Sequence, residues 1–198
     1  VREGYWRTLA SIEKQGTLYN TYTTAKSMLT SATAVTGVAD AAITLPPGFF
    51  YPGKTLHIFG VAGISNRVTG PDTFTPDIRV GAVVAFNGGA INLTTTAHTT
   101  IPAWFDFLLT CDTAGNGTLA KLRGQSKWSG QMIAQLASAA DNAGGTGKAM
   151  APNTAPALGT GFDSTVANVL DFFVAQSVSN AGNGFQLWEY TVADLVYL

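Results

Sequence analysis

Short runs in which apolar and polar residues alternate, each stopped by Gly, Pro or Asn, constrain this chain more than any other feature. Side chains two apart share a face of a strand, so such runs build half-buried strands. In residues 54–62, Leu56, Ile58 and Gly60 point one way and Thr55, His57 and Phe59 the other. Residues 103–111 place Phe105, Phe107, Leu109 and Cys111 on one face, and residues 167–176 do the same with Leu170, Phe172 and Val174. Residues 78–86 read as one more alternating strand, with Asn87-Gly88-Gly89 as a hairpin turn and residues 90–96 as the return. Gly115-Asn116-Gly117 reads as the turn between residues 103–111 and a partner strand at 119–128.

The remaining segments complete an all-β reading. Residues 17–29 are rich in Thr and Tyr, which favour strands. Residues 42–45 form a short strand stopped by Pro46-Pro47-Gly48, and residues 185–192 form the last strand after a turn at 180–184. Residues 131–140 can supply a helical turn or two, and residues 141–165 read as a long surface loop. No β-α-β alternation is present. The expected fold is an antiparallel β-sandwich, jelly-roll-like, spanning residues 17–198.

Residues 1–16 differ. Arg2, Glu3, Arg7, Glu13 and Lys14 make them charge-rich, and Tyr5, Trp6, Leu9 and Ile12 recur at near-helical spacing before Gly16. They read as a short N-terminal arm or helix, docked on its own domain or on a neighbouring subunit. Tyr5, Trp6, Leu9 and Ile12 are the candidate assembly contacts.

Composition narrows the function. Charged residues are 12% of the chain, about half the roughly 25% of an average soluble domain. Weak surface charge lowers repulsion between neighbouring copies. The 11 Lys and Arg are scattered, so no nucleic-acid partner is expected. No apolar run reaches the length of a membrane-spanning helix, so no membrane partner is expected. The single cysteine, Cys111, forms no intrachain disulfide and reads as a core thiol.

Catalytic and metal chemistry find little support. His57 and His98 lack Cys or Asp at zinc-ligand spacing. Gly144-Gly145-Thr146-Gly147-Lys148 departs from a phosphate loop at Asn142 and Ala149. No cofactor, no metal and no enzymatic activity are expected. Of the four tryptophans, Trp6, Trp104, Trp128 and Trp188, core or interface packing is the plainer reading. Exposed aromatics could instead bind a glycan, with Trp128 and Trp188 as the residues to test.

The stretch Thr44-Leu45-Pro46-Pro47-Gly48-Phe49-Phe50-Tyr51-Pro52-Gly53-Lys54-Thr55-Leu56-His57-Ile58 joins a Leu-Pro-x-Gly turn to a Gly-Lys-Thr-Leu-x-Ile strand. The Gly-Ile-Ser end of residues 61–65, the strand Phe74-Thr75-Pro76-Asp77-Ile78-Arg79-Val80-Gly81, and residues 104–110, 171–176, 180–184 and 187–192 follow in order. This succession resembles the jelly-roll structural proteins of tailed-bacteriophage virions: capsid decoration proteins, head fibres and tail-associated proteins. The resemblance implies a virion location, a homotrimer, and contact with the major capsid or other virion proteins. A capsid decoration role is the leading expectation. A jelly-roll major capsid protein and a receptor- or carbohydrate-binding tail or fibre module are the alternatives.

Overall fold

The computed structural model describes residues 4–12, 16, 18–29, 42–68, 72–136, 147–152 and 157–197. The chain runs through β1 (Gly4–Ile12), β2 (Lys26–Ser27), β3 (Ile43–Leu45), β4 (Thr55–Asn66), β5 (Thr73–Val80), β6 (Val83–Asn87) and β7 (Ile91–Leu93). It continues through β8 (His98–Thr113), β9 (Lys121–Gly130), β10 (Ile133–Leu136), β11 (Lys148–Ala151), β12 (Asn168–Gln176) and β13 (Gly184–Tyr197). No helix occurs among the described residues, and the strands pack as an antiparallel sandwich.

The first sheet has the order β1-β13-β4-β8-β9-β11. The second has the order β10-β7-β5-β12-β2, with β6 also along β5 and β3 along β12. The pairings nest, first with last: β1 with β13, β2 and β3 with β12, β4 with β8, β5 with β6 and β7. Folding that nested ribbon over sets β13 beside β4 in one sheet and β12 beside β5 in the other. The order is consistent with a jelly roll. Strands β9, β10 and β11 fall between β8 and β12 in sequence and widen the two sheets.

Aromatic rings join the layers. Phe105 on β8 lies 5.4 Å from Phe172 on β12, and Trp128 on β9 lies 4.9 Å from Phe74 on β5. Trp128 is fully buried, so it belongs to the core and offers no platform to a glycan. Trp188 occupies a bulge between Leu187 and Glu189 and packs over Gly63, where a Cβ would come within 2.5 Å of its ring.

Several sequence expectations are corrected. Residues 4–12 are a strand, not a helix. A bulge between Thr8 and Ala10 adds one residue, so Leu9 and Ile12, three apart, both reach the core as they would on a helix. The expected strand at 78–86 breaks at Gly81, whose φ of 60° turns the chain from β5 into β6. Asn87-Gly88-Gly89 does not reverse the chain: β6 and β7 lie in succession along the same side of β5. Gly88 bends between them, its N–H donating to the Pro76 carbonyl at 2.8 Å.

The expected helical turn at 131–140 is strand β10 over Ile133–Leu136, its remaining positions lying outside the described residues. The expected loop at 141–165 contains β11, which pairs with β9, and bridges from Leu158 to Arg123 and from Phe162 to Ala120. Its residues 141–146 and 153–156 lie outside the described residues. Of the described residues 18–29, only Lys26–Ser27 form a strand, and Tyr19 bridges to Phe185.

Candidate functional site

The outer face of the first sheet carries the most distinctive surface. Strands β8 and β9 alternate strictly here and β4 does so as far as Gly60, so the residues opposite the core rows form one outward array, in which Val61 is buried. Register sets Phe59 across from Asp106, and Asp106 across from Lys127. In the next row Val61, Trp104, Ser129 and Lys148 lie side by side. A hollow of about 310 Å³ opens among them. Phe59 and Trp104 supply its apolar lining, while Asp106, Lys127, Ser129 and Lys148 supply polar groups.

Trp104 is 63% exposed, although it sits mid-strand between two paired neighbours. The outward face of β8 thus carries Trp104 and Leu108, and no described residue covers them. His57 lies between Trp6 and Phe59, with ring centroids 5.3 and 4.7 Å away. Its Nε2 is 3.0 Å from Asp106 Oδ1. No hydroxyl or thiol is hydrogen-bonded to His57 among the described residues.

A charged cluster fastens β1 to the body. Arg7 donates from Nε and Nη2 to the two Asp194 oxygens at 3.0 and 2.9 Å, and Lys54 donates from Nζ to Asp194 Oδ2. Asp194 is fully buried and Lys54 nearly so. Lys54 Nζ also sits 4.9 Å from the Phe49 ring centre. Burial raises the Asp194 pKa, but the hydrogen bonds from Arg7 and Lys54 outweigh it and hold the carboxyl below its usual range. No motif announces this cluster. Its only sequence signal is an acidic residue, Asp194, at an inward position of the last strand.

The four assembly-contact candidates divide. Leu9 and Ile12 pack against the domain's own core, whereas Tyr5 and Trp6 are exposed. β1 pairs with β13 along one side and is the terminal strand of the sheet on the other, among the described residues.

The catalytic candidates stay dispersed. Cys111 is buried, and burial, with the Asp112 charge, pushes its thiol up to about 11. His98 opens β8 away from His57. Lys148 belongs to β11, while residues 144–146 of the phosphate-loop-like stretch lie outside the described residues. No cluster of three or more His, Cys, Asp or Glu side chains suited to a metal ion occurs among the described residues. Comparison with protein-family models, curated proteins and solved structures finds no match to this chain.

Proposed function

We propose that this chain is a non-enzymatic structural protein of a tailed-bacteriophage virion, a decoration protein that assembles as an oligomer on the capsid surface. The observation that carries the assembly reading is the edge of β1, which no strand pairs among the described residues. An edge strand presents unpaired N–H and C=O groups, and proteins that stay monomeric blunt such edges with lysines, prolines, bulges or short strands; the bulge of β1 lies at Thr8 and Ala10 and leaves Gly4–Thr8 in regular register. β1 is nine residues long and holds no Lys or Pro. Its one cation, Arg7, is engaged by Asp194. Tyr5 and Trp6 flank the edge at 49% and 45% exposure.

A second copy can continue the sheet there, with the two aromatics giving apolar contact. Cyclic repetition of that contact closes a ring such as a trimer. Low overall charge supports close packing of copies, and the resemblance of residues 42–198 to phage jelly-roll proteins supports the virion setting. Many symmetric copies each making a modest contact then reinforce a shell by avidity.

The test is the mass of the purified chain in solution and its position on particles seen by electron microscopy. The expected result is a closed oligomer in fixed stoichiometry on the capsid. Tyr5→Lys with Trp6→Lys should give a folded monomer that no longer decorates particles. A wild-type chain that is monomeric at high concentration and absent from particles overturns the reading.

A further inference from the structure

We propose that the hollow on the outer face of the first sheet is a saccharide-binding site selective for sugars that carry a carboxylate. This goes beyond the assembly role. It uses β4, β8, β9 and β11, not the free edge of β1.

Size comes first. At about 310 Å³, the hollow sits at the low end of the roughly 300–1,000 Å³ of small-molecule sites. It admits a ring-sized ligand and not a folded partner.

The lining then selects the ligand. Trp104 keeps a large flat ring in water on a strand paired on both sides, so its position is rigid and its exposure contributes nothing to the core. A flat, pre-positioned aromatic suits the C–H face of a pyranose, and Phe59 adds a second apolar surface. Sugar hydroxyls need donors and acceptors beside that platform. Ser129 offers a hydroxyl, and Asp106, whose Oδ1 is engaged by His57, offers Oδ2.

Charge decides the subclass. Lys127 lines the hollow beside the carboxylate of Asp106, which already faces His57. Lys127 forms no ion pair among the described residues. A ligand carboxylate complements the Lys127 ammonium through a charge-assisted hydrogen bond. The Lys127 ammonium disfavours a cationic ligand in the aromatic lining, and an inorganic anion would leave Trp104 and Phe59 without a role.

The experiment titrates the full chain with methyl β-glucuronide, N-acetylneuraminic acid and the neutral methyl β-glucoside, read by saturation-transfer NMR and calorimetry. At least one acidic sugar should bind at least about tenfold more tightly than the glucoside. Trp104→Ala should weaken it about three- to tenfold, as loss of an aromatic contact does, while Trp104→Tyr should retain most of the affinity. Lys127→Gln should weaken acidic-sugar binding and leave the glucoside unchanged. Circular dichroism should show all three variants folded, since both positions are outward-facing.

Absence of transfer from all three sugars overturns the proposal. So does equal affinity for glucuronide and glucoside, undiminished binding by Trp104→Ala, or competition by inorganic phosphate as effective as that of the sugar. Because β1 is untouched, oligomer mass should be the same in every variant, which separates this outcome from that of the assembly reading.

Discussion

Lys54 donates to Asp194 across 140 positions of sequence, with both side chains almost wholly withdrawn from water. The pair sits where β1, β4 and β13 meet, and Arg7 completes it from the exposed side. Transferring two charges out of water is expensive, so the pair is stable only because each partner and its hydrogen bonds are in place.

Asp194→Ala should destabilise the fold by about 3–5 kcal/mol, because Lys54 is left buried without a counter-charge. Lys54→Met combined with Asp194→Leu should cost much less than Asp194→Ala alone. Chemical denaturation of the single and double variants measures the difference. A double variant as unstable as the single would show that shape, not charge balance, sets the loss.

The same carboxyl makes stability acid-sensitive. Its pKa is depressed in the folded chain, against about 3.9 in an unfolded one. The stabilisation is therefore complete above the unfolded value and is lost as pH falls through the lower folded value. Thermal melts between neutral pH and about pH 2 should show a fall that is shallower in Asp194→Asn, which has no such carboxyl to protonate.

Trp128→Ala should cost about 3–5 kcal/mol, the usual loss for emptying a large aromatic site. The ring contacts Phe74, Phe105, Phe107 and Phe185 and is fully buried. Denaturant midpoints of this variant and of Trp104→Ala should separate widely, since Trp104 fills no part of the core.

Gly60→Ala should weaken the β4–β13 pairing. A Cβ at Gly60 would come within 1.9 Å of the Glu189 carbonyl oxygen and 2.8 Å of the Phe105 ring. The Glu189 contact is backbone, which can move only with the strand pairing, and overpacking of this kind costs about 1–3 kcal/mol. Hydrogen exchange of the β4 and β13 amides should accelerate in the variant.

Cys111 should resist thiol reagents at pH 8 in the native protein and react as the chain unfolds. Burial, then the neighbouring Asp112, pushes its pKa up to about 11, against about 8.5 for a free thiol. The unfolded chain thus releases its thiol proton first, and stability declines as pH rises above that lower value. Modification in native buffer at the rate seen in denaturant would contradict the burial.

The strand rows at 54–62, 103–111 and 167–176 were legible because a period of two in hydrophobicity survives wherever a strand is straight and one face is buried. The errors fell where that period was broken. A bulge at Thr8 and Ala10 gave β1 a helix-like spacing, and β6 and β7 lie end to end because Gly88 closes on Pro76. The glycan reading singled out Trp128 and Trp188, but the outward tryptophan of the hollow is Trp104. Tryptophan carries the same apolar area in a core or on a platform, so only the face it takes tells them apart.

The sequence by itself determined that this chain folds into an antiparallel β-sandwich, with inward rows such as Phe105, Phe107 and Leu109, because alternation and turn residues act over neighbouring positions. It also determined the weak surface charge. The tertiary structure alone decided that Lys54 meets Asp194, that Trp104 lies in one row with Ser129 and Lys148 beside a hollow, and that β1 is the terminal strand of its sheet among the described residues. These relations join residues far apart in sequence through strand order and register, and no local pattern encodes which strands become neighbours.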